Sequence, residues 1–196
     1  MPPAPQPRRQ VITDARAMRA LAHPLRVALL EAMRRDGEIT ATAAAELLGE
    51  SPGNMSWHLQ TLAKYGFVEE TGKGRGRSRP WRLTSESRTF ETGVAETEVA
   101  IAGEALERTF AERTYEQMRD WWARRMTYPA KWRRAAFMAD SVRYLTPAEL
   151  ATVLNEIQAI FDRYPDRGDK RDRPPDALPV HLHAHGHPLP PTPSGN

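Results

Sequence analysis

The chain of 196 residues contains no cysteine, which excludes disulfides, zinc fingers and thiol chemistry together. It also lacks any apolar run long enough to span a bilayer, and its opening, MPPAPQPRRQ, has no hydrophobic core of the kind a secretory leader needs. No GxSxG elbow, P-loop or Gly-rich dinucleotide turn occurs, so no enzyme motif is present and no cofactor is expected. These absences predict a soluble, cytoplasmic, non-enzymatic protein. The length allows one large or two small domains. Net charge is only +3, with an isoelectric point near 9.4, and by itself argues for no particular partner. The distribution of charge is more informative. From Thr71 to Thr84, TGKGRGRSRPWRLT, there is no acid, and glycines alternate with Lys73, Arg75, Arg77 and Arg79.

The stretch before this basic loop, SPGNMSWHLQTLAKYGFV from Ser51 to Val68, predicts a helix over 52–65. Ser51 can cap it, and Pro52 suits the first helical position, where a missing N–H costs nothing. Met55, Leu59 and Leu62 share one face, and Asn54, Trp57, Gln60, Thr61 and Lys64 occupy the other, with Ser56 at its flank. Gly66 stands where a helix ends in a left-handed residue. A helix with an apolar back and a hydrogen-bonding front suits the major groove, and it equally describes an ordinary amphipathic surface helix. Upstream, Ile39 to Gly49 predicts a second short helix with Thr40 as cap, and Gly49-Glu50-Ser51 a tight turn, which is helix-turn-helix spacing. Downstream, strands over 67–71 and 80–84 would flank the basic loop as a wing. Its glycines permit close approach to phosphates and its cations release counterions. A disordered basic loop is the competing reading of the same residues.

Two segments carry a family resemblance. LAHPLRVALLEAM (Leu21–Met33) resembles the first core helix of ArsR-type winged-helix repressors. Ser56-Trp57-His58-Leu59, followed by Leu62 and Gly66-Phe67-Val68, is similar to that family's recognition segment. The resemblance covers Thr13 to Thr84 and implies a winged helix-turn-helix domain, a homodimer and double-stranded DNA as partner. It places His58 among the DNA-facing residues, where the imidazole reaches a phosphate or stays neutral inside the domain. Trp57 departs from the family's usual smaller polar residue or Arg, so base preference does not carry over. The family's metal-sensing Cys-x-Cys is missing, and TAAAEL (Thr42–Leu47) offers only Glu46 as a ligand.

The remaining segments predict the following organisation. Residues 1–10 hold four prolines and form a flexible arm. The winged domain spans 11–84, with one helix from Thr13 to about Ala22 and another from Leu25 to Arg35 that Gly37 closes; His23 belongs to the cap region. From Ser85 to about Met126, Phe90, Val94, Ile101, Leu106, Phe110, Met118 and Trp121 recur at helical intervals. Gly93 and Gly103 are potential breaks. A helix of that length is hard to bury against so small a domain and suits pairing between subunits. Such pairing can set the about 34–36 Å between recognition helices in a dimer. Trp121-Trp122 fits core or dimer packing better than a cofactor box. For the region 127–189 the resemblance to ArsR-like regulators with long tails implies a small α+β dimerisation or effector domain. Its elements are the stretch Ala135–Thr146, which mixes helical and strand periods and favours strand by a small margin, a helix from Thr146-Pro147-Ala148-Glu149, and a strand over Leu178–His187; 190–196 is a flexible tail.

In that last strand His181, His183, His185 and His187 would all point the same way. A row of imidazoles suits Zn, Cu, Ni or Co, so these histidines are the candidate metal ligands, with an exposed polar strand face as the plainer account. Catalysis at the row is not expected, since nine residues follow His187 and leave little chain to complete a site. The expected fold class is mainly α with small β: a winged helix-turn-helix domain, a long dimerisation helix and a small α+β C-terminal region. The expected function is sequence-specific transcription regulation, as a homodimeric repressor. The major groove is read by 52–65, and phosphates or the minor groove are held by the wing at 72–82. The expected DNA-binding residues are Asn54, Ser56, Trp57, His58, Gln60, Thr61, Lys64, Lys73, Arg75, Arg77 and Arg79. Two alternatives stay open: a metal-responsive or metal-binding protein using the histidine row, and a protein-interaction module whose winged helix does not read DNA.

Overall fold

The apolar faces of the early helices close on one another in the computed structural model, which describes residues 9–74, 79–85, 87–90, 97–164 and 172–190. Strand β1 (Arg9–Ile12) leads into helix α1 (Ala15–Leu21) and helix α2 (Pro24–Asp36). A two-residue strand β2 (Ile39–Thr40) is followed by α3 (Ala41–Leu48) and α4 (Pro52–Lys64). Strands β3 (Val68–Glu70), β4 (Pro80–Leu83) and β5 (Ser87–Phe90) precede the long helix α5 (Thr97–Arg124). A 3-10 turn (Arg125–Thr127) and helices α6 (Ala130–Ala135) and α7 (Pro147–Asp162) complete the order.

Each early helix starts at a side-chain cap. Asp14 accepts from the Arg16 N–H at 3.0 Å, Thr40 Oγ1 from Ala43 at 3.1 Å, and Ser51 Oγ from Asn54 at 3.2 Å. His23 caps α2 through Nδ1, 3.2 Å from the Leu25 N–H. Such caps satisfy N–H groups that the first turn leaves unpaired. Helix α4 ends in a Schellman arrangement: Phe67 N–H donates to Leu62 O and Gly66 N–H to Ala63 O, each at 2.9 Å. Gly66 takes the left-handed φ of 71° that this ending requires. The chain thereby reverses into β3, and Phe67 drops into the core, fully buried.

β4 lies between β2 and β3, antiparallel to both, with Val68 opposite Leu83, Glu69 opposite Arg82 and Ile39 opposite Trp81. These are the expected strands of a wing, slightly shorter than predicted. Met18, Leu21, Leu29, Met55, Leu59, Leu62 and Phe67 are fully buried in one cluster, each side chain contributing about 1.5–3 kcal/mol by leaving water. α5 joins that cluster through Val99, Ala102, Gly103 and Leu106, packing on α1. Gly103, buried within the continuous α5, therefore does not break the helix.

Several sequence expectations change. The long helix begins at Thr97, not at Ser85. Ser87–Phe90 is instead a strand parallel to β1, with Val11 opposite Thr89 and Ile12 opposite Phe90. Phe90 suggested helix because it supplies apolar surface at a helical interval. It does so from the strand, its ring 5.8 Å from that of Phe110 on α5. The same pairing takes Arg9 and Gln10 out of the expected flexible arm. The stretch Ala135–Thr146 holds the end of α6 and then no regular structure, and Leu178–His187 has no strand. A strand needs a ladder partner, and neither stretch has one among the described residues. α7 forms as expected, with a reciprocal capping box between Thr146 and Glu149.

Candidate nucleic-acid interface

Helix α4 is sealed on one side and open on the other. Met55, His58, Leu59 and Leu62 are buried, at the spacing of three and four that makes a single helical stripe. Trp57 is 57% exposed, Gln60 and Lys64 are exposed, and Asn54, Ser56 and Thr61 are half-buried. The turn before α4 depends on Gly49, whose φ of 70° is left-handed, and it holds α3 against the back of α4.

The open face carries distinct chemistry at each residue. Gln60 has no hydrogen bond among the described residues, so its amide is free to donate and accept together. Asn54 donates from Nδ2 to Glu50 Oε2 at 2.9 Å, which leaves its Oδ1 and one of the two Nδ2 hydrogens for a further partner. Thr61 Oγ1 donates to Trp57 O at 2.9 Å, leaving its lone pairs and methyl group outward. The Lys64 ammonium sits 5.7 Å over the Tyr65 ring.

His58 does not belong to this face. It is 2% exposed, and its position on the Met55–Leu62 stripe takes it under the helix. Its ring lies 4.7 Å from His23 and 4.8 Å from Trp57. Burial, then the nearby His23 and Arg26, push its pKa below the ordinary histidine value. A phosphate contact from this imidazole is therefore replaced by a packing role that ties α4 to the cap of α2.

The wing presents its cations differently from a bare basic loop. Lys73 Nζ pairs with Glu38 at 2.7 Å, Arg79 with Glu70 at 3.4 Å, and Arg82 with Glu69 at 2.7 Å. All three pairs are solvent-exposed, a setting in which such bridges are worth about 0.2–1 kcal/mol, so a phosphate can displace the acid. The acids come from β3 and from Glu38 just before β2, outside the acid-free loop. Arg75 and Arg77 lie outside the described residues.

Sequence reasoning missed one residue here, Arg26. It is 9% exposed with its guanidinium carbon 5.9 Å from the centre of the Trp57 ring. Its Nε has no hydrogen-bond partner among the described residues. The available signal was its spacing: Arg26, Leu29, Leu30 and Met33 fall on one face of α2, an arginine in register with an apolar stripe.

The histidine row is a separate place. His181, His183, His185 and His187 are exposed along an irregular segment. Successive rings are 6.1, 6.3 and 4.8 Å apart between centroids. No group of three or more His, Asp or Glu residues among the described ones is arranged to hold a metal ion. No helix among the described residues is long and apolar enough to cross a membrane.

Comparison with known proteins adds a match to a domain family and several loose matches to solved structures. A family model described as a helix-turn-helix domain matches residues 21–71, from α2 through β3. Among solved structures the chain is similar to reduced HlyU from Vibrio cholerae, at 25% identity, covering 47% of this chain and 83% of that one, with a TM-score of 0.31. It is also similar to an apo-form mutant of ZitR from Lactococcus lactis, at 17% identity, covering 72% and 83%, with a TM-score of 0.32. At these TM-scores neither superposition bears on the arrangement of the whole chain. No curated protein matches. The helix-turn-helix match over residues 21–71 thus coincides with α2, α3, the Gly49 turn, α4 and β3.

Proposed function

We propose that the chain is a sequence-specific, homodimeric repressor of ArsR-like type, acting in the cytoplasm. It inserts α4 into the major groove and lays the wing between β3 and β4 along the backbone or minor groove. The observation that carries this reading is the division of α4: its apolar stripe is sealed, while Trp57, Gln60 and Lys64 stand open beside Asn54 and Thr61. Gln60 suits adenine through a bidentate amide contact, and the Trp57 and Thr61 surfaces suit thymine methyl groups. Lys64, Lys73, Arg75, Arg77 and Arg79 supply backbone charge, and Lys73 and Arg79 exchange their carboxylates for phosphates on binding.

The distal half of α5 supports a dimer. Beyond Leu106 the helix runs on to Arg124 with Tyr115 56%, Met118 37% and Trp122 47% exposed, apolar surface that a second copy would cover. A symmetric dimer requires a matching operator, so selection from a randomised duplex pool tests both parts. The expected product is an inverted repeat with half-site centres about 10–10.5 base pairs apart or a multiple of that. A pool that shows no enrichment would remove sequence reading, and a single unrepeated half-site would remove the dimer. Binding upstream of a reporter is expected to lower its transcription; a rise would make the protein an activator.

A further inference from the structure

A nearly buried arginine without a carboxylate is costly, because a desolvated charge is stable only when paired and hydrogen-bonded. Arg26 is in that position. Among the described residues it has no ion-pair partner, and its Nε is buried without an acceptor. The groups around it deepen the problem. His23 and His58 lie close enough that the arginine's charge disfavours protonation of both. The electrostatic neighbour that favours the arginine's charge is Tyr65, a phenol and not a carboxylate. The described wing cations show the opposite arrangement, each paired with an acid of its own chain.

The place of Arg26 is as informative as its lack of a partner. It comes from the first turn of α2, and its guanidinium lies 5.9 Å from the ring centre of Trp57, which is itself more than half exposed on α4. Arginine stacked on an aromatic ring keeps the edges of its planar fork free for an oxyanion, and arginine matches phosphate geometry bidentately. We propose that Arg26 is a phosphate-binding residue of the DNA interface: held against Trp57 at the edge of the recognition helix, it takes a backbone phosphate as the anion that the chain itself does not provide. Trp57 then has two tasks, facing the groove and positioning the guanidinium. The proposal rests on the DNA-binding reading above and adds α2 to the contact surface.

The test measures binding of the full chain to its selected duplex across a salt series, with wild type, Arg26→Gln and Arg26→Lys. A companion set of duplexes carries a neutral methylphosphonate at one backbone position at a time. Arg26→Gln is expected to flatten the log–log salt slope by about 0.9, the value of one phosphate on duplex DNA. Arg26→Lys, which keeps the charge and loses the flat fork, is expected to keep the slope and weaken binding several-fold. One methylphosphonate position should weaken wild type and leave Arg26→Gln unaffected. An unchanged slope in Arg26→Gln, with no position distinguishing it from wild type, would overturn the proposal and leave Arg26 a packing residue. That role would show as a lower melting temperature alone. Should Arg26→Gln fail to fold, Arg26→Lys decides: binding several-fold weaker than wild type with the slope kept supports the contact, and wild-type affinity overturns it. Failure of wild type to bind any duplex would instead remove the DNA reading itself.

Discussion

Two regions of this molecule use similar sequence patterns and obtain different results from them. Among the described residues, every buried side chain lies between Ile12 and Leu106, and none lies beyond. Yet α7 has apolar residues at helical spacing and a complete capping box, as good a local specification as that of α4. Leu59 and Leu62 on α4 are fully buried, while Leu154 on α7 is 51% exposed. Local pattern is sufficient to make a helix, and a core further requires a second surface of matching shape nearby. In the winged domain, short turns bring that surface: Gly37, Gly49 and Gly66 each reverse the chain at a left-handed or related φ. Beyond α5 the connections run through extended segments, with the 136–146 stretch wholly exposed. An ion pair from Lys131 to Asp176 at 2.9 Å and a hydrogen bond from Arg173 to Arg35 O at 2.9 Å link the later chain to other segments. Neither replaces an apolar interface.

The contrast can be broken most forcefully at α5. Burying an apolar side chain is worth about 1.5–3 kcal/mol, so Met118→Glu with Trp122→Glu should convert a dimer to a monomer in sedimentation equilibrium. A double variant that keeps the wild-type mass would move the pairing surface elsewhere. Next in size, Leu59→Ala should cost about 2–5 kcal/mol in urea unfolding. Leu154→Ala in the monomeric background should stay within about 0.5 kcal/mol of its parent. Equal losses at both positions would mean that α7 is covered in solution and that the two regions are alike. At the interface, Gln60→Ala should relax discrimination by about 1–3 kcal/mol at one base position, read from a panel of single-base variants. Unchanged discrimination across the panel would leave Gln60 outside the readout. Ser51→Ala, which removes the cap of α4, should cost about 1 kcal/mol, visible as a lower denaturation midpoint.

A gentler prediction concerns pH. His23 and His58 both have folded-state pKa values below the ordinary histidine value, chiefly because burial disfavours the charged form. The unfolded chain, titrating near about 6.5, takes up those protons first as pH falls. Stability is therefore full above that value and declines as pH drops through it toward the folded-state values. His58→Gln should reduce the slope of stability against pH between neutrality and mild acid; an equal slope in both proteins would place the titrating groups elsewhere.

Much of the winged domain was legible because its signals are local. The caps Ser51 and Thr40, the glycines ending α3 and α4, and the strands flanking the basic loop all follow from residues within a few positions of one another. The front of α4 was legible for the same reason. His58 has two readings from sequence, a phosphate contact or a neutral place inside the domain, and its angular position on the apolar stripe selects the inner one. Arg26 escaped because its importance depends on Trp57, which is distant in sequence and adjacent only after folding. β5 was hidden since its partner β1 is remote in the chain, and Phe90 serves the α5 surface from either secondary structure. The histidine row alternates as a strand would, but alternation specifies a strand only when a neighbour supplies the ladder.

The most direct measurement is fluorescence anisotropy of the full chain on DNA from upstream of its own gene, beside a scrambled duplex of equal length, across a salt series. A sequence-reading α4 predicts a preference for the native duplex of about a thousandfold or more, as specific binders show, with both affinities falling as salt rises. Equal affinity for both duplexes would contradict sequence reading there and reduce the winged helix to a phosphate clamp. Absence of binding to either would contradict the interface altogether.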